Sequence, residues 1–275
     1  MNKNQQEDAK KERNKYLKEN LAKIHNKIII LSGKGGVGKS TVAVNVAFDL
    51  AKKGKKVGIL DVDIHGPSTA KLLGIEGQVL KSNKKGDIEP IKVTENLYAI
   101  TIATMLKSPD DPIIWRGPLK MGAIKQFMGE LRWPELDYLI VDSPPGTGDE
   151  PLSVVQILGD VDGSLIVTTP QDLALLDARK TINFSNKMNV DVLGIVENMT
   201  TFKCPHCGKP IDIFKGTGVN KAAKDFNLDI LGKIPVDPNI SSTGDKGKSY
   251  FLENAEQESS KEFAKITKAI RKKLG

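Results

Sequence analysis

Short runs of apolar residues recur along this chain, and the segments between them carry apolar residues at helical spacing. The first run, Lys27–Leu31 (KIIIL), is short and continuous, which predicts a strand buried on both faces. After it, Val42, Val46 and Leu50 recur every four residues, as expected for one face of a helix. Buried strands that alternate with amphipathic helices predict a parallel sheet between two layers of helices.

The same alternation continues to the end of the chain. We expect an α/β fold with a doubly wound, mostly parallel sheet of about seven or eight strands, and one domain over residues 26–275. The predicted strands cover residues 27–31, 56–60, 97–102, 137–141, 164–168, 192–196 and 230–234. A hairpin is predicted over 79–93, and helices over 42–53, 119–131, 172–187 and 263–274.

Residues 1–25 are expected to form a polar extension that precedes this domain. Its first eight residues are polar and predicted to be disordered. From Ala9 to Ile24, apolar residues at positions 16, 17, 21 and 24 share one helical face, with lysines opposite. We expect a short amphipathic helix that packs on the domain. A membrane-surface helix is the alternative, and the shortness of the apolar face makes it the weaker one.

A glycine-rich loop follows the first predicted strand and precedes the first predicted helix. Its sequence, GKGGVGKST, fits the pattern G-x-x-x-x-G-K-[ST]. Glycines let backbone N–H groups turn inward around phosphate oxygens, and the helix N-terminus adds partial positive charge. Lys39 is expected to reach the terminal phosphates of ATP, and Ser40 to join the shell of a Mg²⁺ ion. The predicted nucleotide-binding residues here are Gly33, Lys34, Gly35, Gly36, Val37, Gly38, Lys39, Ser40 and Thr41.

A second lysine in this loop, Lys34, is not needed by an ordinary phosphate loop. With it, GKGGVGKST resembles the deviant Walker A family, which includes MinD, ParA, the nitrogenase iron protein and the Mrp/ApbC iron–sulfur carriers. The resemblance implies a P-loop NTPase that hydrolyses ATP, and we expect slow turnover because a switch gains nothing from fast hydrolysis. It also implies a homodimer in which Lys34 reaches the phosphates of the nucleotide bound by the other subunit.

Acidic residues follow two more of the predicted strands, where ligands bind in open parallel sheets. Asp61 and Asp63 lie on either side of Val62 and are expected to face different ways. The resemblance implies that Asp63 orients the attacking water. Asp142 begins DSPPGTGDE and is expected to hold Mg²⁺ through water, while the N–H of Gly146 points toward the γ-phosphate. The segment can change shape when that phosphate leaves.

Two later segments are candidates for contact with the adenine base. Asn198 follows a predicted strand, and an amide side chain can bond both donor and acceptor edges of adenine. The resemblance implies this role for Asn198, and a base-flanking role for the loop that contains Pro235 and Asp237. Trp115 and Arg116, in a loop with two prolines, suit either an interface patch or a tryptophan packed beneath the loop.

The two cysteines, Cys204 and Cys207, form a C-x-x-C pair that is too short for a framework disulfide. A redox pair is one interpretation, although such pairs begin helices and here Gly208 and Pro210 follow. Half of a zinc site is another, and it needs four ligands. A [4Fe–4S] cluster also takes four thiolates, of which a symmetric dimer would supply two from each chain. That is the assembly that Lys34 implies.

Three further segments strengthen one branch of the resemblance: WRGP at 115–118, DSPPGTGD at 142–149 and ENM at 197–199. Over roughly residues 25–250 the chain resembles an Mrp/ApbC-type iron–sulfur cluster carrier. We therefore expect an ATPase that holds a labile [4Fe–4S] cluster at a homodimer interface and transfers it to apo-proteins. A MinD/ParA-like positioning ATPase on membrane or DNA is one alternative. A zinc-bridged dimer that binds nucleotide without carrying clusters is the other, since zinc can occupy such cysteines after aerobic purification.

Composition narrows the choice of partners. Aromatic residues make up 5% of the 275 residues, which argues against a base-stacking surface for nucleic acid. The formal charge of +7 comes mostly from lysine clusters near the ends, and we interpret it as solvated surface charge. No apolar run approaches the roughly 20 residues that cross a bilayer. We expect a cytoplasmic protein without nucleic-acid or membrane partners.

Overall fold

The computed structural model describes residues 15–63, 68–82, 87–101, 104, 122, 124–125, 128, 130–214, 216 and 218–275. Over these residues a nine-stranded sheet carries helices on both faces, which confirms the predicted α/β fold. The strands are β1 (Ile24–Leu31), β2 (Val57–Asp61), β3 (Ile91–Lys92), β4 (Leu97–Thr101), β5 (Leu136–Asp142), β6 (Gly163–Thr168), β7 (Val192–Lys203), β8 (Pro210–Asp212) and β9 (Ile230–Val236).

Helices fill most of the connections between the strands. They are α1 (residues 15–21), α2 (Lys39–Lys52), α3 (Thr69–Leu72), α4 (Asp149–Leu158), α5 (Asp172–Lys187), α6 (Gly218–Asp225), α7 (Pro238–Asp245), α8 (Tyr250–Glu253) and α9 (Glu258–Leu274). Residues 122, 124, 125, 128 and 130 are helical and belong to the predicted helix 119–131, of which the rest is only partly described. Trp115, Arg116 and residues 83–86 of the predicted hairpin lie outside the described residues.

The strand order is β3-β4-β2-β5-β1-β6-β7-β8, with β9 also paired to β7. All pairings are parallel except β3 with β4 and β7 with β8. The strand count is higher than predicted because β8 was not expected. The predicted hairpin over 79–93 is confirmed in part: Ser82 bridges Ile88 in the antiparallel sense, and the Glu89 N–H donates to the Lys81 carbonyl at 3.1 Å. The end of this segment, β3, pairs with β4 instead.

Successive residues of β1 enter opposite layers of the core, as the two-residue period of a strand requires. Ile28 and Ile30 belong to the layer that contains α2 and α9, whereas Ile29 and Leu31 face α1, α4 and α5. All four side chains are essentially inaccessible to solvent. A central strand covered on both faces explains why its sequence is continuously apolar rather than alternating.

The longest strand, β7, runs well past the predicted end at Val196. It pairs with β6 and β9 in its first half and with β8 at its far end, so neighbouring strands supply hydrogen bonds that the local pattern does not indicate. Met199 has φ of 58°, and the β7–β9 register shifts between Asn198 and Phe202. The strand is therefore bent where a loop was predicted.

The N-terminal helix packs on the sheet but is shorter than predicted among the described residues. Leu17 and Leu21 are buried in the core layer beside α4, as expected for its apolar face. Ile24 is buried too, but it begins β1 instead of ending the helix. Tyr16 is partly exposed and stacks under Arg132, whose guanidinium carbon lies 4.5 Å from the ring centroid.

Candidate functional site

The glycine loop lies at the centre of the sheet, beyond the end of β1. The chain runs from β1 to β2 on one side of the sheet and from β5 to β6 on the other, so the direction of the connections reverses between β1 and β5. Ligands bind at such a point in open parallel sheets. Gly36 and Gly38 have φ of 77° and 85°, a region that other residues rarely adopt. Gly33 is required for a different reason, since a Cβ there would lie 2.4 Å from the Cβ of Asp177 in α5.

A cavity of about 350 Å³ opens above this loop, and we call it the phosphate cavity. Most of the predicted phosphate-binding residues line it, together with side chains from two other segments. Its lining includes Lys34, Gly35, Gly36, Gly38, Lys39, Ser40, Thr41, Asp63 and Pro145. Two loop residues do not line it: Gly33 packs against Asp177, and Val37 has a buried side chain that contributes to the core under α2.

The Lys39 side chain is buried and paired with carboxylates. Its Nζ lies 2.5 Å from Asp142 Oδ1 and 3.7 Å from Asp63 Oδ2, while Thr69 Oγ1 donates to Asp142 Oδ2 at 3.1 Å. The structure thus brings Lys39, Asp63 and Asp142 together from three separate segments. Sequence reasoning missed Thr69, because no motif marks a threonine that fixes the second oxygen of a buried aspartate.

The expectation that Asp61 and Asp63 face different ways is wrong. Residues two apart in an extended chain share a face, and the positive charge of Lys39 acts on Asp61 as it does on Asp63. Asp61 is fully buried and accepts hydrogen bonds from the Asp63 N–H and from Thr101 Oγ1. Burial, and then the nearby charge of Asp142, raise the pKa of Asp61 to about 8.

The raised pKa predicts a pH-dependent cost in stability. Between pH 3.8 and about 8 the folded protein retains on Asp61 a proton that the unfolded chain has released. The free energy of unfolding therefore falls as the pH rises through this window. Asp61→Asn removes the ionisation, so the variant is expected to gain stability relative to wild type by about 1.4 kcal/mol per pH unit at most.

Urea unfolding of wild type and Asp61→Asn without nucleotide, from pH 5 to pH 8, measures this difference. A difference that stays constant over the whole range would show that Asp61 ionises normally. Asparagine keeps an acceptor for the Asp63 N–H, and the Thr101 hydroxyl can turn to accept from the new amide.

Gly146 is in the predicted segment but does not present a free N–H. The N–H donates to the carbonyl of Ser32 at 2.8 Å, and the residue has φ of 93°. This bond ties the segment after β5 to the end of β1. The predicted contact with a γ-phosphate therefore requires the segment to move, which agrees with a switch that responds to nucleotide.

A second cavity of about 420 Å³ joins the first at Gly38, Thr41 and Ser68, and we call it the base cavity. Asn198, Pro235 and Asp237, the residues predicted to lie near adenine, all line it. In this state the Asn198 amide donates to the Val37 carbonyl at 2.9 Å. A Cβ on Gly38 would lie 2.1 Å from Asn198 Nδ2, so the loop and this amide are in direct contact.

The Asp237 carboxylate is occupied by protein groups. Oδ1 accepts from the Asn239 N–H at 2.8 Å and caps α7, and Oδ2 accepts from the Tyr250 hydroxyl at 2.5 Å. Burial and this bond raise the pKa of Tyr250 above its ordinary value. Since both carboxylate oxygens accept hydrogen bonds from protein groups, Asp237 contributes to the wall of the base cavity mainly through its backbone.

Lys34 is held within its own chain. Its Nζ donates to Gln171 Oε1 at 2.6 Å, and Gln171 is the residue before α5. Sequence reasoning did not single out Gln171. Its place just beyond the tip of β6 could have indicated it, since this is the edge at which the sheet binds ligands.

The cysteine pair forms the turn of a β-hairpin between β7 and β8. The Gly208 N–H donates to the Cys204 carbonyl, and the Cys204 N–H to the Lys209 carbonyl, each at 2.9 Å. Backbone N–H groups of Cys207 and then His206 donate to the Cys204 sulfur and lower the pKa of that thiol. Cys207 is exposed. The turn suits a soft metal that binds thiolates, and the pair does not begin a helix.

The hairpin offers few other ligands. Across the residues that the structure describes, no three histidine, cysteine or acidic side chains are grouped so as to hold a metal ion. Two thiolates from one chain are thus half of the set that a four-thiolate centre needs. Among the same residues, no helix has the length and apolar character needed to span a membrane.

Comparison with known proteins identifies a family of P-loop NTPases, which agrees with the geometry of the glycine loop. The family model ParA, described as NUBPL iron-transfer P-loop NTPase, matches residues 23–271. A protein of Methanocaldococcus jannaschii named iron–sulfur cluster carrier protein is 46% identical over 269 residues, covering 98% of this chain and 90% of that protein. One of the same name from Saccharolobus solfataricus is 45% identical over 250 residues, with 91% and 84% covered.

Solved structures give the same result for the fold. The nucleotide-binding protein of Archaeoglobus fulgidus in complex with ADP is 37% identical, with a TM-score of 0.77, over 91% of this chain and 96% of that chain. The cell division ATPase MinD of Pyrococcus furiosus has a TM-score of 0.65 at 24% identity, over 90% and 99% of the two chains. The likeness to MinD concerns the fold alone.

Proposed function

Because the chain belongs to the ParA family of NUBPL iron-transfer P-loop NTPases, we propose that it is an ATP-hydrolysing carrier of iron–sulfur clusters. Two copies of the chain hold a labile [4Fe–4S] cluster between them and transfer it to apo-proteins. The observation that carries the proposal is the course of β7, which borders the base cavity at Asn198 and leads directly into the cysteine hairpin at Cys204. The names of the relatives support the cargo.

The joined cavities suit a nucleoside triphosphate, with phosphates over the glycine loop and adenine beside Asn198. When the nucleotide binds, Lys39 leaves Asp142 and pairs with oxygens of the terminal phosphates, so one buried ion pair replaces another. Ser40 and, through water, Asp142 offer the hard oxygen ligands that Mg²⁺ prefers, and the ion would neutralise phosphate charge. Gly146 gives up the Ser32 carbonyl and donates to the terminal phosphate.

Asp63 is the residue we propose to orient the attacking water, since it lines the phosphate cavity beside Lys39. Asp63→Asn keeps the size of the side chain but removes the negative charge of the group that accepts a hydrogen bond from the water. We expect the rate of phosphate release to fall by about 10²- to 10³-fold, with ATP affinity changed only slightly.

Steady-state hydrolysis and equilibrium ATP binding, measured on the same preparations, separate these two effects. Asp160→Asn, at an exposed position remote from the cavity, is the matched control and should match wild type. Loss of ATP affinity in proportion to the rate would mean that Asp63 binds nucleotide instead of acting in hydrolysis.

The cluster binds to the thiolates of Cys204 and Cys207, two from each chain of the dimer. Exposure of Cys207 and the lowered pKa of Cys204 favour exchangeable thiolate ligation. A carrier needs such accessible ligands, because the cluster has to leave for an apo-protein. The same thiolates can bind zinc. Zinc as the metal of anaerobically purified protein, together with no ATP hydrolysis, would contradict the proposal.

Nucleotide and cluster influence one another through the dimer. ATP can change the affinity for the cluster only as far as it binds the possible dimer arrangements differently. Besides the Lys39–Asp142 ion pair and the Lys34–Gln171 hydrogen bond, two contacts differ between the nucleotide-free chain and the proposed bound state. These are the Gly146–Ser32 hydrogen bond and the Asn198–Val37 hydrogen bond, and the second lies on the strand that leads to the cysteines.

A further inference from the structure

Thr69 is a fully buried polar residue that contacts the carboxylate of Asp142. It is the first residue of α3, and its hydroxyl donates to Asp142 Oδ2 at 3.1 Å. The other oxygen of this carboxylate, Oδ1, lies 2.5 Å from Lys39 Nζ. Thr69 lines neither the phosphate cavity nor the base cavity, so its hydroxyl acts on the site through Asp142.

The two contacts of Asp142 have different fates in the proposed function. Lys39 leaves the carboxylate when a nucleotide binds, which frees Oδ1 to accept from a water molecule of the Mg²⁺ shell. Oδ2 keeps its hydrogen bond from Thr69. Without that bond the carboxylate could rotate once Lys39 has left. Groups that orient a metal ligand in this way typically change metal affinity by about 10- to 100-fold.

Close packing against the end of α7 fixes the position of α3. A helix of four residues is not stable by itself, so tertiary contacts must hold it. Gly74, just after α3, has φ of 68°, and a Cβ there would lie 2.3 Å from the carbonyl oxygen of Gly247. A Cβ on Gly244 of α7 would lie 2.7 Å from Leu72 Cδ2. We call these contacts of Leu72 and Gly74 with Gly244 and Gly247 the α3 clasp.

We propose that Thr69 is a positioning residue, which keeps the Asp142 carboxylate in the orientation that holds Mg²⁺, and that the α3 clasp keeps Thr69 in place. The inference rests on the proposed function, in which Asp142 holds Mg²⁺ through water. Closely packed backbones cannot shift without clashes, so the clasp restricts the positions open to Thr69 beside β5. The Mg²⁺ ligand is thus oriented before the nucleotide arrives, by a residue that is itself held by packing.

Equilibrium binding of ATP by the full chain, measured in Mg²⁺ and in EDTA, tests the role of the hydroxyl. Thr69→Val keeps the shape of the side chain and removes the donor. We expect the gain in ATP affinity that Mg²⁺ gives to fall by about tenfold, while the affinity in EDTA stays unchanged. Thr69→Ser keeps the hydroxyl and should restore most of the gain. Thr267→Val is the matched control, since Thr267 is equally buried and its hydroxyl donates to the Phe263 carbonyl of α9 at 2.9 Å.

Two glycine variants test the α3 clasp. Gly74→Ala places a Cβ against Gly247 and forces the chain after α3 to move. We expect it to lower the Mg²⁺-dependent gain as Thr69→Val does, and the two changes combined to lower it no further than either alone. Gly77→Ala is the matched control, because Gly77 has a similar φ of 73° but nothing within 4 Å of a Cβ. It carries the same backbone strain without the clash and should bind ATP like wild type.

The outcomes separate this inference from the proposed function. Absence of any gain from Mg²⁺ in wild type would overturn the magnesium site of the proposed function itself. Equal gains in wild type and in Thr69→Val would overturn only the inference. An equal loss in Thr69→Val and Thr69→Ser, or a loss as large in EDTA as in Mg²⁺, would show a merely structural role and would overturn it too.

Equal effects of Gly74→Ala and Gly77→Ala would contradict the part played by the α3 clasp, because backbone strain alone would then explain them. The two Thr69 variants decide the role of the hydroxyl even if Gly74→Ala does not fold.

Discussion

Replacing Lys34 with alanine is expected to lower the rate of ATP hydrolysis by about 10³-fold while a single chain still binds ATP. In the proposed dimer Lys34 stabilises charge that develops on the phosphate held by the other subunit, as an arginine finger supplied in trans does. Lys39 stays in place to bind the triphosphate within its own chain. Steady-state hydrolysis and ATP binding measure the two effects, and Lys268→Ala, at an exposed position of α9, is the control.

Mixing two inactive variants tests whether Lys34 acts across the interface. A dimer of one Lys34→Ala chain and one Asp63→Asn chain contains one complete site, formed by Asp63 of the first chain and Lys34 of the second. Half of the dimers in an equal mixture are mixed, so about a quarter of wild-type activity should return. No recovery above the sum of the two variants would show that Lys34 acts within its own chain.

Cys204→Ala/Cys207→Ala is expected to remove nearly all iron that wild type takes up in anaerobic reconstitution with iron and sulfide. The double variant loses every cysteine of the chain, and thiolates are the ligands of a [4Fe–4S] cluster. Folding and ATP binding should remain, because the hydrogen bonds that close the hairpin join backbone atoms and do not use the sulfur. Iron content and absorption spectra measure the loss.

His206→Ala is the matched control for this experiment. His206 lies between the two cysteines and supplies a backbone N–H, which alanine keeps. The His206→Ala variant should therefore retain its iron if the thiolates alone bind the cluster. Equal iron uptake by wild type and by the double cysteine variant would contradict the proposed cargo site. Loss of metal in His206→Ala would indicate a site with a histidine ligand, such as zinc uses.

Local pattern was enough to predict the elements around the glycine loop. The first strand and the helix that starts at Lys39 follow from continuous and four-residue apolar spacing. Positions at strand tips then indicate which polar residues meet, and Lys39, Asp63 and Asp142 do come together. These predictions work because the sheet is parallel, so the carboxyl ends of its strands share one edge.

Features that depend on tertiary pairing were not predicted. The far half of β7 pairs with β8 and β9, and its strand-favouring residues Thr200, Thr201 and Phe202 do not indicate by themselves which strands lie beside them. Likewise the partner of Lys34 is 137 positions away in sequence. The error over Asp61 has another cause, because it does not depend on tertiary pairing. The two-residue period of an extended chain was sufficient to predict that Asp61 and Asp63 share a face.

The proposed function requires two chains to complete one cluster site and two nucleotide sites. Native mass spectrometry of anaerobically reconstituted protein with an ATP analogue measures this directly. We predict a species of two chains with one [4Fe–4S] cluster and two nucleotides, which the double cysteine variant fails to give with iron. A single chain that carries the whole cluster, or a mass that stays monomeric with every ligand, would contradict the account.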